Sequence, residues 1–113
     1  MEDKVYLKIA RELEDDLLSG AMREGDAVIS THQAAERFQV NAATAARGVS
    51  ILSDMGLFEK KRGIGLFVAP GARDAVWERR RREFRESTLP EVIEEARKLG
   101  ISRQELLAMM LAK

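Results

Sequence analysis

The stretch STHQAAERFQVNAATAARGVSILSDMG, residues 30–56, decides how the chain folds. Ser30-x-x-Gln33 is a capping box, in which hydroxyl and amide each satisfy a backbone donor left open by the first helical turn. The pattern predicts a helix over about 31–38 that turns Ala34, Ala35 and Phe38 inward. Gln39-Val40 is a tight break, and Asn41 is a favoured N-cap for the next helix. That helix is expected to reach about Asp54, with Met55-Gly56 closing it. Its inner stripe is Ala45, Val49 and Leu52, joined by Gly48, which permits close packing. Its outer face carries Ala43, Thr44, Arg47 and Ser50.

N-terminal to this stretch, Val5, Ile9, Leu13 and Leu17 recur every four residues, with Tyr6 and Leu18 beside them. The spacing predicts an amphipathic helix from about Lys4 to Ser19, with Glu12, Glu14, Asp15 and Asp16 mostly off its buried face. Ser19-Gly20 ends it, Gly25-Asp26 marks a turn, and Ala27-Val28-Ile29 reads as a very short strand. On the other side, Leu57-Phe58-Glu59-Lys60-Lys61 and Leu66-Phe67-Val68-Ala69 read as two strands. Arg62-Gly63-Ile64-Gly65 supplies their hairpin loop. Pro70-Gly71 divides the chain into expected domains of residues 1–70 and 71–113.

The remainder reads as helices. Residues 74–86 are dominated by charge. There the Arg79–Arg82 run, with Glu78, Glu83 and Glu86, suits a solvated helix with i,i+4 ion pairs better than a nucleic-acid arm. Thr88, followed by Pro90, is expected to cap a restarted helix whose apolar face is Val92, Ile93, Ala96 and Leu99. Gly100 ends it, and a second capping box, Ser102-x-x-Glu105, opens a last helix through Met110. Ile101, Leu106, Leu107, Met109, Met110 and Leu111 are too many apolar residues for a lone hairpin to cover. They are expected to meet a second copy, the alternatives being to pack back on the preceding domain or to line a small-ligand pocket.

Composition narrows the functions open to this chain. Its 113 residues hold 19 Lys plus Arg and 19 Asp plus Glu, so no single-sign field covers the molecule, although a local basic patch is not excluded. The absence of cysteine excludes disulfides, thiolate metal sites and a cysteine nucleophile. His32 is the one histidine, so no site built from several histidines exists, and no metal or cofactor is expected. No run approaches the roughly 18 apolar residues of a membrane span. The first residues, Met-Glu-Asp-Lys, do not resemble a signal peptide, so a cytoplasmic, non-enzymatic protein with no membrane role is expected.

Helix, short helix, tight break, helix and two-stranded hairpin is the order of a winged helix-turn-helix. The expected fold class is therefore α+β, mostly α: a winged helix-turn-helix domain followed by a short C-terminal helical dimerisation tail. A recognition helix needs small residues at its start to approach base edges, and Asn41, Ala42, Ala43 and Thr44 are small. Arg47, one turn further on, can reach a guanine edge or a phosphate. Lys60, Lys61 and Arg62 can hold phosphates beside the flexible Gly63 and Gly65 tip, or simply form a charged edge strand. Ser30 and His32, at the start of the preceding helix, are further candidate DNA contacts, His32 either meeting phosphate when protonated or standing simply as an exposed or capping-turn histidine.

These residues resemble the winged-helix domain of the GntR family of bacterial transcription regulators over residues 5–69. Tyr6-Leu7-Lys8-Ile9-Ala10 through Leu18-Ser19-Gly20 is similar to the family's opening helix, and Gly25-Asp26 matches its Pro-Gly-Asp turn with Glu24 in place of proline. Leu52-x-x-Met55-Gly56-Leu57 resembles the family's L-x-x-x-G-L motif. Arg62-Gly63-Ile64-Gly65-Leu66-Phe67-Val68 resembles its R-x-G-x-G-T-F-V wing, shortened by one residue. The run Ala96 to Leu107 and the short tail resemble the YtrA-type subfamily, as does the basic residue at Arg47. The chain departs from the family at Ile29-Ser30-Thr31-His32, where Pro-Ser-Glu-Arg is usual, at Ala42, where Arg or Pro is common, and at Ala46, where a second basic or polar residue is common.

The resemblance implies a homodimeric repressor that reads an inverted-repeat operator through the helix at about 41–54 and the wing at about 57–69. Fewer cations than usual imply more reliance on apolar contact with thymine methyl groups, or weaker, more salt-sensitive binding. Val92, Ile93, Leu99, Leu106, Leu107 and Met110 would form the dimer contact, and a small-molecule effector would be the means of release. The alternative is a winged helix used as a protein-interaction module, kept open by the zero net charge and the alanine-rich helix.

Overall fold

The computed structural model describes residues 5–113, so the expected start at Lys4 falls outside the described residues. Helices α1 (Val5–Ser19), α2 (Thr31–Phe38) and α3 (Ala42–Asp54) precede strands β1 (Phe58–Lys61) and β2 (Gly65–Val68), then α4 (Ala72–Glu83), α5 (Leu89–Lys98) and α6 (Arg103–Leu111). Two compact units result, one ending at Trp77 and one running from Glu78 to Lys113. The first has the order and hairpin of a winged helix-turn-helix.

Its core forms where the apolar stripes of α1 and α3 meet. Ile9, Ala10, Leu13 and Leu17 pack with Ala45, Val49 and Leu52. Gly48 allows the close approach: a Cβ there would stand 2.6 Å from Cγ2 of Ile9 and 3.2 Å from the Tyr6 carbonyl oxygen. The buried face of α1 is wider than its every-fourth-residue pattern, because Ala10 and Glu14 lie beside Ile9 and Leu13. Glu14, expected mostly off this face, is therefore buried.

Both predicted caps around the break are made. Ser30 Oγ accepts the Gln33 N–H at 3.1 Å while Gln33 Oε1 accepts the Ser30 N–H at 3.0 Å. Gln39 takes a left-handed conformation, φ 55°, that turns the chain between α2 and α3. Asn41 Oδ1 then accepts the Thr44 N–H at 2.8 Å to open α3. A bidentate ion pair from Arg37 to Asp16, 2.7 and 3.3 Å, ties α2 to α1. Hydrogen bonding to Asp16 raises the already high pKa of Arg37.

The strands pair antiparallel, Phe58 with Val68, Glu59 with Phe67, Lys60 with Leu66 and Lys61 with Gly65. Alternation divides the hairpin: Phe58, Leu66 and Val68 pack on the core, while Glu59, Lys61 and Phe67 share the other face. The expected strand at 27–29 is reduced to a single bridge, Ala27 to Phe67. The adjoining Asp26–Val68 and Val28–Leu66 backbone bonds show an edge only a few residues long.

The first unit extends into α4, since Ala72 and Val76 are buried in its core. Glu24, which stands where proline was expected by resemblance, accepts the Gly71 N–H at 2.7 Å just before α4.

The second unit departs from sequence expectation at Thr88. No capped restart occurs there: Thr88 is helical, φ −61° and ψ −50°, and its side chain makes no cap bond. The chain instead passes through a π-helical turn, Phe84–Thr88, in which the Leu89 N–H reaches the Phe84 carbonyl. The cause is Pro90, which has no N–H and whose ring crowds the carbonyl four residues back; a widened turn accommodates it without ending the helix. Arg79 pairs with Glu83 at 3.2 Å, one of the i,i+4 ion pairs expected for the charged stretch. The second capping box is formed between Ser102 and Glu105, and α6 continues one residue past Met110. Among the described residues of this unit, Ala96 alone is a buried hydrophobic.

Candidate nucleic-acid interface

The candidate DNA-contacting residues fall into two groups on the first unit. Ser30 and His32 stand at the start of α2, and Asn41, Ala43, Thr44 and Arg47 on the first half of α3. All are exposed except Thr44, which is half-buried. The caps consume Ser30 Oγ and Asn41 Oδ1 as acceptors, yet leave the Ser30 hydroxyl proton and the Asn41 amide donors outside those bonds. His32 Nε2 lies 2.9 Å from Glu36 Oε1, a contact on the helix surface rather than a buried one.

Arg47 is held in a way that the sequence did not reveal. Its guanidinium carbon lies 3.8 Å from the centroid of the Tyr6 ring. The contact follows from the fold: Gly48 brings α3 against the start of α1, and the neighbouring Arg47 reaches the aromatic ring there. Stacking occupies a face of the guanidinium and leaves its N–H donors around the edge.

The second group is the hairpin tip. Lys61, Arg62, Gly63 and Gly65 are all exposed. The Lys61 carbonyl accepts the Ile64 N–H at 2.9 Å, and Gly63 takes φ 74°, a conformation that glycine enters without steric cost. Lys61 Nζ lies 4.8 Å from the centroid of Phe67, its diagonal neighbour on the outer face. The tip is less bare than its glycines suggest, because Ile64 is 73% exposed between them. An apolar side chain at a wing tip can lie against sugars or wedge into a minor groove.

The six residues expected to mediate dimerisation lie in the second unit and divide by burial. Val92, Leu99, Leu107 and Met110 are exposed. Ile93 and Leu106 are half-buried and line a groove of about 300 Å³ between α5 and α6. Met109 and Leu111 extend the exposed apolar surface.

Sequence reasoning missed Tyr6, Phe67 and Ile64 as neighbours of the candidate residues. Tyr6 was visible as an aromatic beside the α1 stripe, and Gly48 as a point of close packing, but their combination required knowing which helices touch. Among the described residues, no group of three or more His, Cys, Asp or Glu could hold a metal ion. Nor is any helix among them long and apolar enough to cross a membrane.

No family model matches the chain. It is 29% identical over 105 residues to an uncharacterized HTH-type transcriptional regulator, YhcF, of Bacillus subtilis (strain 168), across 91% of this chain and 84% of that protein. A protein described as a transcriptional regulator of the GntR family from Bacteroides thetaiotaomicron is 33% identical, with a TM-score of 0.71 across 94% of this chain and 93% of the other. A GntR family transcriptional regulator from Listeria monocytogenes shares the fold, with a TM-score of 0.76 at 22% identity over 94% of this chain and 91% of that one.

Proposed function

Since this chain belongs to the GntR family of transcriptional regulators, a family of DNA-binding proteins and not of enzymes, we propose that it is a homodimeric repressor of the short-tailed YtrA-like type. It reads an inverted-repeat operator and acts in the cytoplasm. The observation that carries this reading is the exposed face of α3, on which small residues precede an arginine whose donors face no carboxylate among the described residues. Small residues let the helix approach base edges, and Arg47 can then present two donors to guanine or to a phosphate.

In this reading α3 enters a major groove, with Thr44 and Arg47 on bases and Asn41 and Ala43 close to them. Ser30 and His32 lie against the backbone, and Lys61 and Arg62 hold phosphates while the Gly63–Gly65 tip crosses the neighbouring groove. Two copies joined through Val92, Ile93, Leu99, Leu106, Leu107 and Met110 place their recognition helices about 10 bp apart on a pseudo-palindrome. A small-molecule effector would release the operator by favouring a different spacing of the two readers.

Selection of bound duplexes from a random pool, at low and then moderate salt, tests the proposal. An enriched inverted repeat is the expected result. Binding at low salt without enrichment would leave only backbone attraction and overturn sequence-specific reading. Folded protein that binds no duplex would point instead to a protein partner.

A further inference from the structure

We infer that Tyr6 is a positioning residue for DNA reading: its ring fixes the Arg47 guanidinium so that the edge donors, not the flat face, meet the operator. The inference rests on the reading of α3 as the recognition helix. Its geometric basis is the 3.8 Å stack between ring and guanidinium. Three further observations give the stack a purpose.

First, three other arginines are tied down by acids, while Arg23 and Arg73 donate to the backbone carbonyls of Gly20 and Leu18. Arg37 pairs with Asp16, Arg79 with Glu83 and Arg97 with Glu94. Among the described residues no carboxylate pairs with Arg47. An acidic partner would occupy the donors that a base or phosphate needs, whereas an aromatic ring restrains the side chain and leaves those donors open. Second, the ring is supplied by a different helix, at a place where the backbones come unusually close. A Cβ on Gly48 would overlap Ile9, and the Tyr6 carbonyl lies at the same contact. The side chain of Arg47 is thereby referenced to the core rather than to its own helix surface. Third, Ala43 and Ala46 beside it on α3 are exposed and offer no donor of their own. A helix with so few polar readers depends on the one long cation being aimed before binding. Restricting a flexible arginine in advance lowers the entropy lost on complex formation.

The consequence is a coupling between Tyr6 and Arg47 in operator affinity. Measured on the operator enriched by selection, Tyr6→Phe should bind as the native protein does, because the ring remains. Tyr6→Leu should weaken operator binding about 2- to 30-fold and leave binding to a scrambled duplex of equal length unchanged. Arg47→Ala should weaken it roughly 5- to 150-fold, and Tyr6→Leu should then add nothing in that background. In the free protein, the Arg47 guanidinium resonances should show an aromatic ring-current shift that Tyr6→Phe keeps and Tyr6→Leu removes, with thermal melting confirming that each variant is folded.

Equal losses from Tyr6→Leu with and without Arg47 would make Tyr6 a general structural residue and overturn the inference. A missing ring-current shift in the native protein would overturn it independently of any DNA. If Arg47→Ala binds the operator normally, Arg47 is no reader and the role of Tyr6 falls with it, although an enriched inverted repeat would leave the regulator reading standing. If no duplex is enriched, both readings fail together.

Discussion

The two units use the same local devices and reach different degrees of self-sufficiency. Each opens a helix with a Ser-x-x-Gln or Ser-x-x-Glu capping box, made with the same pair of backbone bonds. Yet every buried hydrophobic residue but one lies at or before Val76, and Ala96 is the exception. In the first unit three helices, a hairpin and the start of α4 turn their apolar faces toward one another. In the second, Val92, Leu99, Leu107, Met109, Met110 and Leu111 remain exposed. Caps decide where helices begin, whereas burial supplies most of the free energy that holds them together. The lesson is that the winged unit completes its own core, while the helices from Glu78 onward leave most of their large apolar side chains exposed.

The largest test of this contrast removes core volume from the first unit. Leu52 is fully buried, so Leu52→Ala should cost about 2–5 kcal/mol in chemical denaturation, with the loss independent of protein concentration. A loss under about 1 kcal/mol would show that the α1–α3 core is looser than its packing indicates. The next test addresses the tail. Leu107→Glu places a charge where the proposed second copy would seat and should raise the dimer dissociation constant more than about tenfold in sedimentation equilibrium. An unchanged dimer would move the interface elsewhere.

A smaller effect compares the same device in both units. Ser30→Ala and Ser102→Ala should each cost about 1 kcal/mol. The first loss should be independent of concentration, while the second should shrink or grow with dimer occupancy. Identical concentration dependence would erase the distinction drawn between the units. The smallest effect is expected on the tail surface, at Glu94. Arg97 donates hydrogen bonds of 2.7 and 3.0 Å to this exposed carboxylate and holds its pKa below the ordinary value. A depressed carboxylate contributes stability above its unfolded pKa and loses it as pH falls through the folded pKa. Glu94→Gln should therefore leave helicity near neutral pH almost unchanged and remove a slight native loss of helicity at acid pH, read by circular dichroism. A large change at neutral pH would contradict the weak role expected of an exposed ion pair.

Most of the winged unit was legible in its sequence because its signals are local. Ser30, Gln33 and Asn41 announce helix starts through hydrogen bonds that span three residues. Arg62 to Gly65 announces a hairpin because its turn needs a glycine at Gly63. Thr88 misled for the same reason: Ser-Thr before a proline is a local start signal, but the π-helical turn absorbed Pro90 and the helix went on. The buried Glu14 was illegible because charge alone places a residue outside, whereas the width of the α1–α3 contact decides what is covered.

The candidate site divides along the same line. Sequence by itself determined which residues stand on the outer face of α3 and at the wing tip, since periods of 3.6 and 2 fix side-chain faces once an element is known. It also determined that the tail carries more apolar surface than two short helices can bury. Only the tertiary structure decided that Tyr6 lies on Arg47, that Phe67 lies beneath Lys61, and that Asp16 holds Arg37. The α1 contacts join residues far apart in the chain. They exist because Gly48 lets two helix backbones approach within the reach of a side chain, a distance that no local pattern encodes.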